Sequence, residues 1–118
     1  MALPNIVNVP QIYGLTVGKL LTASSQDIVT NTVSSSQSFK INTIMCANIT
    51  ALSQSVTVNF YDYSANASYS LVYSLLIPAN SSIDVLVRPL YLKEGDKIQA
   101  FAGGINGVHV VVSYETIQ

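Results

Sequence analysis

Residues 55–63 read SVTVNFYDY, and their alternation decides the fold. Val56, Val58 and Phe60 fall on one side of an extended chain and Thr57, Asn59 and Tyr61 on the other, the period-two pattern of a half-buried strand. The same period runs outward in both directions. In SFKINTIMCANIT, from Ser38, the residues Phe39, Ile41, Met45, Ala47 and Ile49 share a face against Lys40, Asn42 and Asn48, while Ile44 and Cys46 thicken the second face. In YSLVYSLLIP, from Tyr69, the sequence places Leu71, Tyr73, Leu75 and Ile77 together. SSIDVLVRP sets Ile83, Val85 and Val87 opposite Asp84 and Arg88. VHVVVSYETI sets Val108, Val110, Val112 and Tyr114 opposite His109, Ser113 and Glu115. YGLTVGKLLTA and QDIVTNTV, earlier in the chain, supply one or two more strands. Nothing reads as a helix longer than a turn.

Turn-forming clusters punctuate these runs: SANAS near Ser64, PANSS near Pro78, KEGD near Lys93 and GGING near Gly103. The GGING segment reads as a hairpin loop and the Ser-rich TVSSSQS from Thr32 as a surface loop. Strands of even length with turns roughly every ten residues predict an all-β chain: a single antiparallel β-sandwich or jelly roll of about seven to nine strands over residues 12–118. Residues 1–11, with Pro4 and Pro10, read as an extended N-terminal arm.

Composition narrows the function. The chain of 118 residues is 49% hydrophobic, which argues against disorder, yet only 9% charged, with a net charge of −1. Without a basic cluster it lacks the electrostatic footprint of a nucleic-acid binder or of a polybasic membrane anchor. Its longest apolar runs fall well short of a membrane-spanning helix, and the opening MALPNIVNVPQ does not read as a secretory signal. The expectation is a soluble protein that binds neither nucleic acid nor membrane.

No catalytic, cofactor or metal site emerges. Cys46 is the sole cysteine and reads as a small buried hydrophobe; His109 is the sole histidine and lies on a polar face. Glu94 and Asp96 stand on a turn flanked by Lys93 and Lys97, which neutralise it, and no Gly-x-Ser-x-Gly elbow accompanies any serine. An enzyme is not expected. In PLYLKEGDKIQAFAG, from Pro89, the charge marks a solvated corner, with Gly95 taking positive φ and Asp96 bonding nearby backbone amides. Two groups of residues read as interface instead. Tyr61, Tyr63 and Tyr69, with Tyr73, bracket one turn and make an aromatic patch suited to protein or sugar. Leu3, Ile6, Val7 and Val9 give the arm apolar side chains for docking on a neighbouring subunit or a larger assembly; the alternative is that the arm is the first edge strand of its own sandwich.

The segment LIPANSSIDVLVRPLYLKEGDKIQAFAGGINGVHVVVSYETI, from Leu76, together with NIVNVPQIYG and FKINTIMCANIT, resembles small virion structural proteins of tailed bacteriophages, especially those of cyanobacteria (cyanophages). The resemblance covers nearly the whole chain and its motifs are structural. It implies a virion protein assembled in the host cytoplasm, above all a head decoration or cement protein. Such a protein would form a homo-oligomer, a trimer or dimer, and bind the major capsid protein or other virion proteins. A neck, tail or fibre component is the alternative within the particle, and a carbohydrate-binding module the alternative outside that class.

Overall fold

A computed structural model describes residues 12–104 and 107–118. The proposed arm, with Leu3, Ile6, Val7 and Val9, lies outside the described residues. Nine strands follow in order: β1 (Ile12–Leu20), β2 (Gln26–Thr30), β3 (Ser38–Asn48), β4 (Gln54–Asp62), β5 (Ala67–Ile77), β6 (Ser82–Asp84), β7 (Leu90–Leu92), β8 (Lys97–Ala102) and β9 (Val108–Ile117). They form two antiparallel sheets, as the alternation predicts. One runs β1-β9-β3-β6, with β7 also on β3, and the other β2-β8-β4-β5. The chain changes sheet at nearly every connection, and β4–β5 is the hairpin between consecutive strands among the described residues. β8 and β9, which flank GGING, belong to different sheets, so the expected hairpin between them is not formed; Ile105 and Asn106 lie outside the described residues.

The core fills the gap between sheets. Ile41, Ile44 and Cys46 of β3, with Val108, Val110 and Val112 of β9, face Val56 and Val58 of β4 and Ile98, Ala100 and Ala102 of β8. β9 keeps the expected alternation, and His109 is exposed. Strand β3 does not. Its register against β9 shifts between Ile41 and Thr43, so Asn42 is an extra residue and the alternation inverts beyond it. Phe39 and Ile41 point inward before the bulge; Ile44, Cys46 and Asn48 do so after it, and Met45 is turned out to solvent. The expected face through Met45, Ala47 and Ile49 is corrected accordingly: a two-residue periodicity cannot show where one residue has been inserted.

Two other strands also depart from the alternation. β5 is bulged twice against β4, and Ser74 carries a φ of 48° there, so the expected single face of Leu71, Tyr73, Leu75 and Ile77 is broken. Ile77 is buried, whereas Tyr73 is 76% exposed. The expected strand through SSIDVLVRP is split instead. β6 pairs with Met45–Ala47 and β7 with Phe39–Ile41, while Val85–Pro89 loops between them and Val87 lies bare in water. Two short strands thus share one side of β3.

The corner after β7 bears out the expected backbone chemistry and corrects the expected solvation. Gly95 has a φ of 90°. Lys93 and Glu94 are exposed, but Asp96 is only 1% exposed. Its carboxylate accepts hydrogen bonds from the backbone N–H groups of Tyr63 at 3.0 Å and Lys93 at 2.9 Å. A charge can be buried when it is satisfied in this way. The Tyr63 ring lies over Gly95 so closely that a Cβ there would sit 2.4 Å from its Cγ. Gly95→Val adds this clash to the strain of a β-branched residue at positive φ, and is expected to cost about 2 kcal/mol or more. Denaturant unfolding checks it; an unchanged midpoint would contradict the packing of Tyr63 on this turn.

Candidate functional site

One end of the sandwich gathers Glu94 and Asp96 of the KEGD turn around a buried asparagine. Asn31, just after β2, is fully buried. Its Nδ2 donates to the carbonyls of Gln37 at 2.9 Å and Leu92 at 3.0 Å, and its Oδ1 accepts from the Ser35 hydroxyl. Its backbone N–H donates to the Asp96 carbonyl at 3.0 Å, and the Gly95 N–H donates to its carbonyl. Glu94 reaches the same loop, accepting from the Ser36 N–H at 2.8 Å. The carboxylates of Glu94 and Asp96 thus hold backbone rather than reactive groups. Among the described residues, no three His, Cys, Asp or Glu side chains converge as metal ligands would.

Beside this knot lies a shallow groove of about 320 Å³ lined by Thr30–Val33, Tyr61, Tyr63, Gly95 and Lys97. Here the tyrosine patch resolves into separate parts. The Tyr61 hydroxyl donates to Asn66 Oδ1 at 2.7 Å, and the Lys97 ammonium sits 5.7 Å from its ring centroid. Tyr63 closes on Gly95. Tyr69 stands opposite Phe60 in the β4–β5 ladder, whereas Tyr61 stands opposite Ser68. Tyr69 is therefore on the other face of the sheet from Tyr61. The structure brings Tyr61 and Tyr63 together and leaves Tyr69 on a different surface.

Lys97 also carries the ion pair to Asp27, at 3.3 Å, and Gln99 donates to the same carboxylate at 2.8 Å. The Gln99 hydrogen bond holds the Asp27 carboxyl below its ordinary range; partial burial opposes the shift, and Lys97 adds to it.

Several exposed apolar side chains lie elsewhere, on the edge strands. Among the described residues β1 pairs with β9 alone and exposes Ile12, Tyr13, Leu15 and Leu20; β5 exposes Tyr69, Tyr73, Leu75 and Leu76. Sequence reasoning missed β1 as a surface because its side chains resemble those of any half-buried strand. The available signal was its pair of glycines, Gly14 and Gly18, within a strand. It also missed the buried asparagines. Asn48, assigned to a polar face, is turned inward by the β3 bulge and donates through Nδ2 to the Leu52 and Ile77 carbonyls at 2.7 and 3.0 Å.

No protein-family model and no curated protein sequence matches the chain. Among solved structures it is similar to that of Bacillus endospore appendages, described as a novel family of disulfide-linked pili. The TM-score is 0.53 at 12% identity, over 91% of this chain and 85% of that one. It is also similar to the nucleoplasmin-like N-terminal domain of Drosophila FKBP39, with a TM-score of 0.42 at 13% identity over 91% and 89% of the two chains. A chain of infectious bursal disease virus, Gx strain, aligns with a TM-score of 0.40 at 10% identity, over 91% of this chain and 36% of that one. The appendage likeness is one of fold.

Because the folded Asp27 carboxyl titrates below its unfolded value, its contribution to stability is present above the unfolded value and is lost as pH falls through the folded one. Gln99→Ala removes the first cause of that shift. The Asp27 titration, followed by carboxyl-carbon NMR, is expected to move up toward the ordinary carboxylate value; an unmoved titration would assign the shift to Lys97 instead.

Proposed function

We propose that this chain is a structural subunit of a bacteriophage virion, a head decoration protein that associates with copies of itself and with the outer surface of the capsid shell. The observation that carries this reading is the exposed apolar surface on the edge strands β1 and β5 of a chain whose residues are only 9% charged. Apolar side chains left exposed on the edge strands of both sheets suit association with other protein. The resemblance carried by FKINTIMCANIT and LYLKEGDKIQAFAG to small virion proteins of tailed phages supplies the particle. Attachment in many copies multiplies modest individual contacts, so each needs little affinity of its own.

The pilus subunits to which the fold is similar are described as disulfide-linked. That route of assembly is not open to this chain. Cys46 is its only cysteine, is fully buried, and has its thiol pushed up to about 12 by desolvation. Cohesion here rests on apolar packing and backbone hydrogen bonding.

Purified virions test the proposal. Quantitative mass spectrometry is expected to find the protein in hundreds of copies per particle, about the number of capsomer sites on a shell, and an electron-microscopy map should place it on the head. A few copies at one vertex or along the tail would favour a neck, tail or fibre component; absence from virions together with glycan binding by the free protein, at the Tyr61–Tyr63 groove, would favour a carbohydrate-binding module.

Salt dependence gives a separate check on the nature of the attachment. Raising salt from about 0.1 to 1 M shortens the screening length from about 10 to 3 Å. It is expected to release little of the protein from particles, whereas prompt release would reveal an ionic interface.

A further inference from the structure

The sheets have ends on which the chain uses two different treatments. β2 is short and bulged between Asp27 and Val29, β5 is bulged twice, and β6 and β7 span three residues each. Short strands and bulges are what keep sheet edges from pairing with other chains. β1 has neither: it runs nine residues against β9 without a shift of register, and it contains no proline.

The direction of its free backbone groups follows from one hydrogen bond. The Leu21 N–H donates to the Val108 carbonyl at 2.8 Å. In an unshifted antiparallel ladder the pointing of peptide groups alternates, so Lys19, Val17, Leu15 and Tyr13 aim theirs at β9. Ile12, Gly14, Thr16, Gly18 and Leu20 aim theirs at the open side. Among the described residues nothing pairs with them. The side chains of Tyr13 and Leu15 share the inner face with the buried Val112 partner of Val17, yet remain 53% and 46% exposed. The five-stranded sheet overhangs its partner sheet there.

The sequence of β1, IYGLTVGKL, is close to a palindrome in size and polarity about Thr16. Turned antiparallel on itself about that residue, it sets Ile12 against Leu20, Gly14 against Gly18 and Thr16 against Thr16 on the outer face. On the inner face it sets Leu15 against Val17, and Tyr13 against the stem of Lys19, whose ammonium is held by the Asp27 carbonyl at 2.9 Å. A twofold interface demands this self-complementarity, since each contact must be made twice. The glycines have no explanation within one copy. A Cβ on Gly14 would meet nothing within 4 Å, one on Gly18 would make only ordinary contacts, and neither residue has positive φ. Glycine in a strand costs stability and commonly marks close approach of another backbone.

We propose that β1 is a homotypic interface: two copies join edge to edge through antiparallel β1 strands centred on Thr16, making one continuous sheet across a twofold axis. The inference rests on and deepens the self-association proposed above by naming the surface and the register. Tyr13 and Leu15, uncovered in one copy, gain apolar neighbours from the other.

Position 16 opposes itself only in this register, and its side chain is exposed on the outer face. The full chain is expected to sediment at twice its 12.7 kDa mass. Thr16→Lys and Thr16→Glu each place like charges directly opposite one another and are expected to weaken association at least tenfold, while an equimolar mixture of the two returns to the dimer. Amide exchange reads the same register without substitution. The N–H groups of Gly14, Thr16, Gly18 and Leu20 should be protected at high concentration and exchange rapidly on dilution, whereas those of Leu15 and Val17 should change little. A wild-type chain that stays monomeric, variants that dimerise as the wild type does, a mixture that fails to recover, or exchange independent of concentration would each overturn the pairing. Virions that lack the protein would remove the particle reading and leave the pairing standing; virions that carry it while the mixture fails would do the reverse.

Discussion

The two sheets are held at one end by polar groups with no access to water, and the arrangement of that end follows from the need to satisfy them. Asn31 leaves β2 in one sheet and bonds the carbonyls of Leu92 and Gln37, which belong to β7 and to the entry of β3 in the other. Asp96 leads into β8 and captures the N–H of Tyr63 in the β4–β5 turn. A buried amide or carboxylate that loses its partners costs more than the same group left in water, so these bonds form together or not at all. The positive φ of Gly95 and the seating of Tyr63 are consequences: the chain must turn sharply enough to aim both oxygens of Asp96 at backbone donors. At the far end of β3, Asn48 does the corresponding work, bonding carbonyls of Leu52 and Ile77.

What could be seen in the sequence follows from which of these features are periodic. Alternation in VHVVVSYETI is a direct image of burial on one face, and β9 carries it; in β4 Val56 and Val58 are buried as SVTVNFYDY predicts, but Thr57 on the expected polar face is buried too, its hydroxyl accepting from the Ser74 N–H at 3.0 Å where β5 bulges over it. The turn at Gly95 was legible because glycine beside aspartate has few other uses in a strand-rich chain. The bulges were not legible. An inserted residue such as Asn42 leaves no mark in composition, yet it exchanges the faces of everything beyond it, and Met45 and Cys46 swap places as a result. Nor could single-chain periodicity separate β6 from β7, because the loop between them is as apolar as a strand. The tyrosine cluster was close in sequence but divided in space by the same rule that made the strands visible: neighbours in a ladder alternate faces.

The scarcity of charge ties the fold to the proposed role. Ion pairs and lysines are a common means of keeping sheet edges soluble and apart. This chain has few to spend: Lys97 is committed to Asp27 and Tyr61, and Lys19, the lysine of β1, turns its ammonium inward to the Asp27 carbonyl at 2.9 Å. Irregularity has taken over much of the protective task at β2, β5, β6 and β7, where bulges and brevity spoil the edge with only Asp27 on β2 and Asp84 on β6 adding charge.

β1 is left out of that protection, and the omission is costly for a chain that works alone. An unbulged, largely apolar edge with no partner among the described residues invites indiscriminate pairing, and glycines within it weaken the strand. Both features become consistent once the edge has a designated partner. Backbone bonding supplies affinity without specificity, whereas the symmetric order of large, small and polar side chains about Thr16 admits one antiparallel register and opposes slippage by one residue, which would turn the inner face outward. A closed twofold pairing also consumes the edge it uses, so the assembly stops at two along that direction, and larger arrays must grow from other surfaces, among them the exposed tyrosines and leucines of β5.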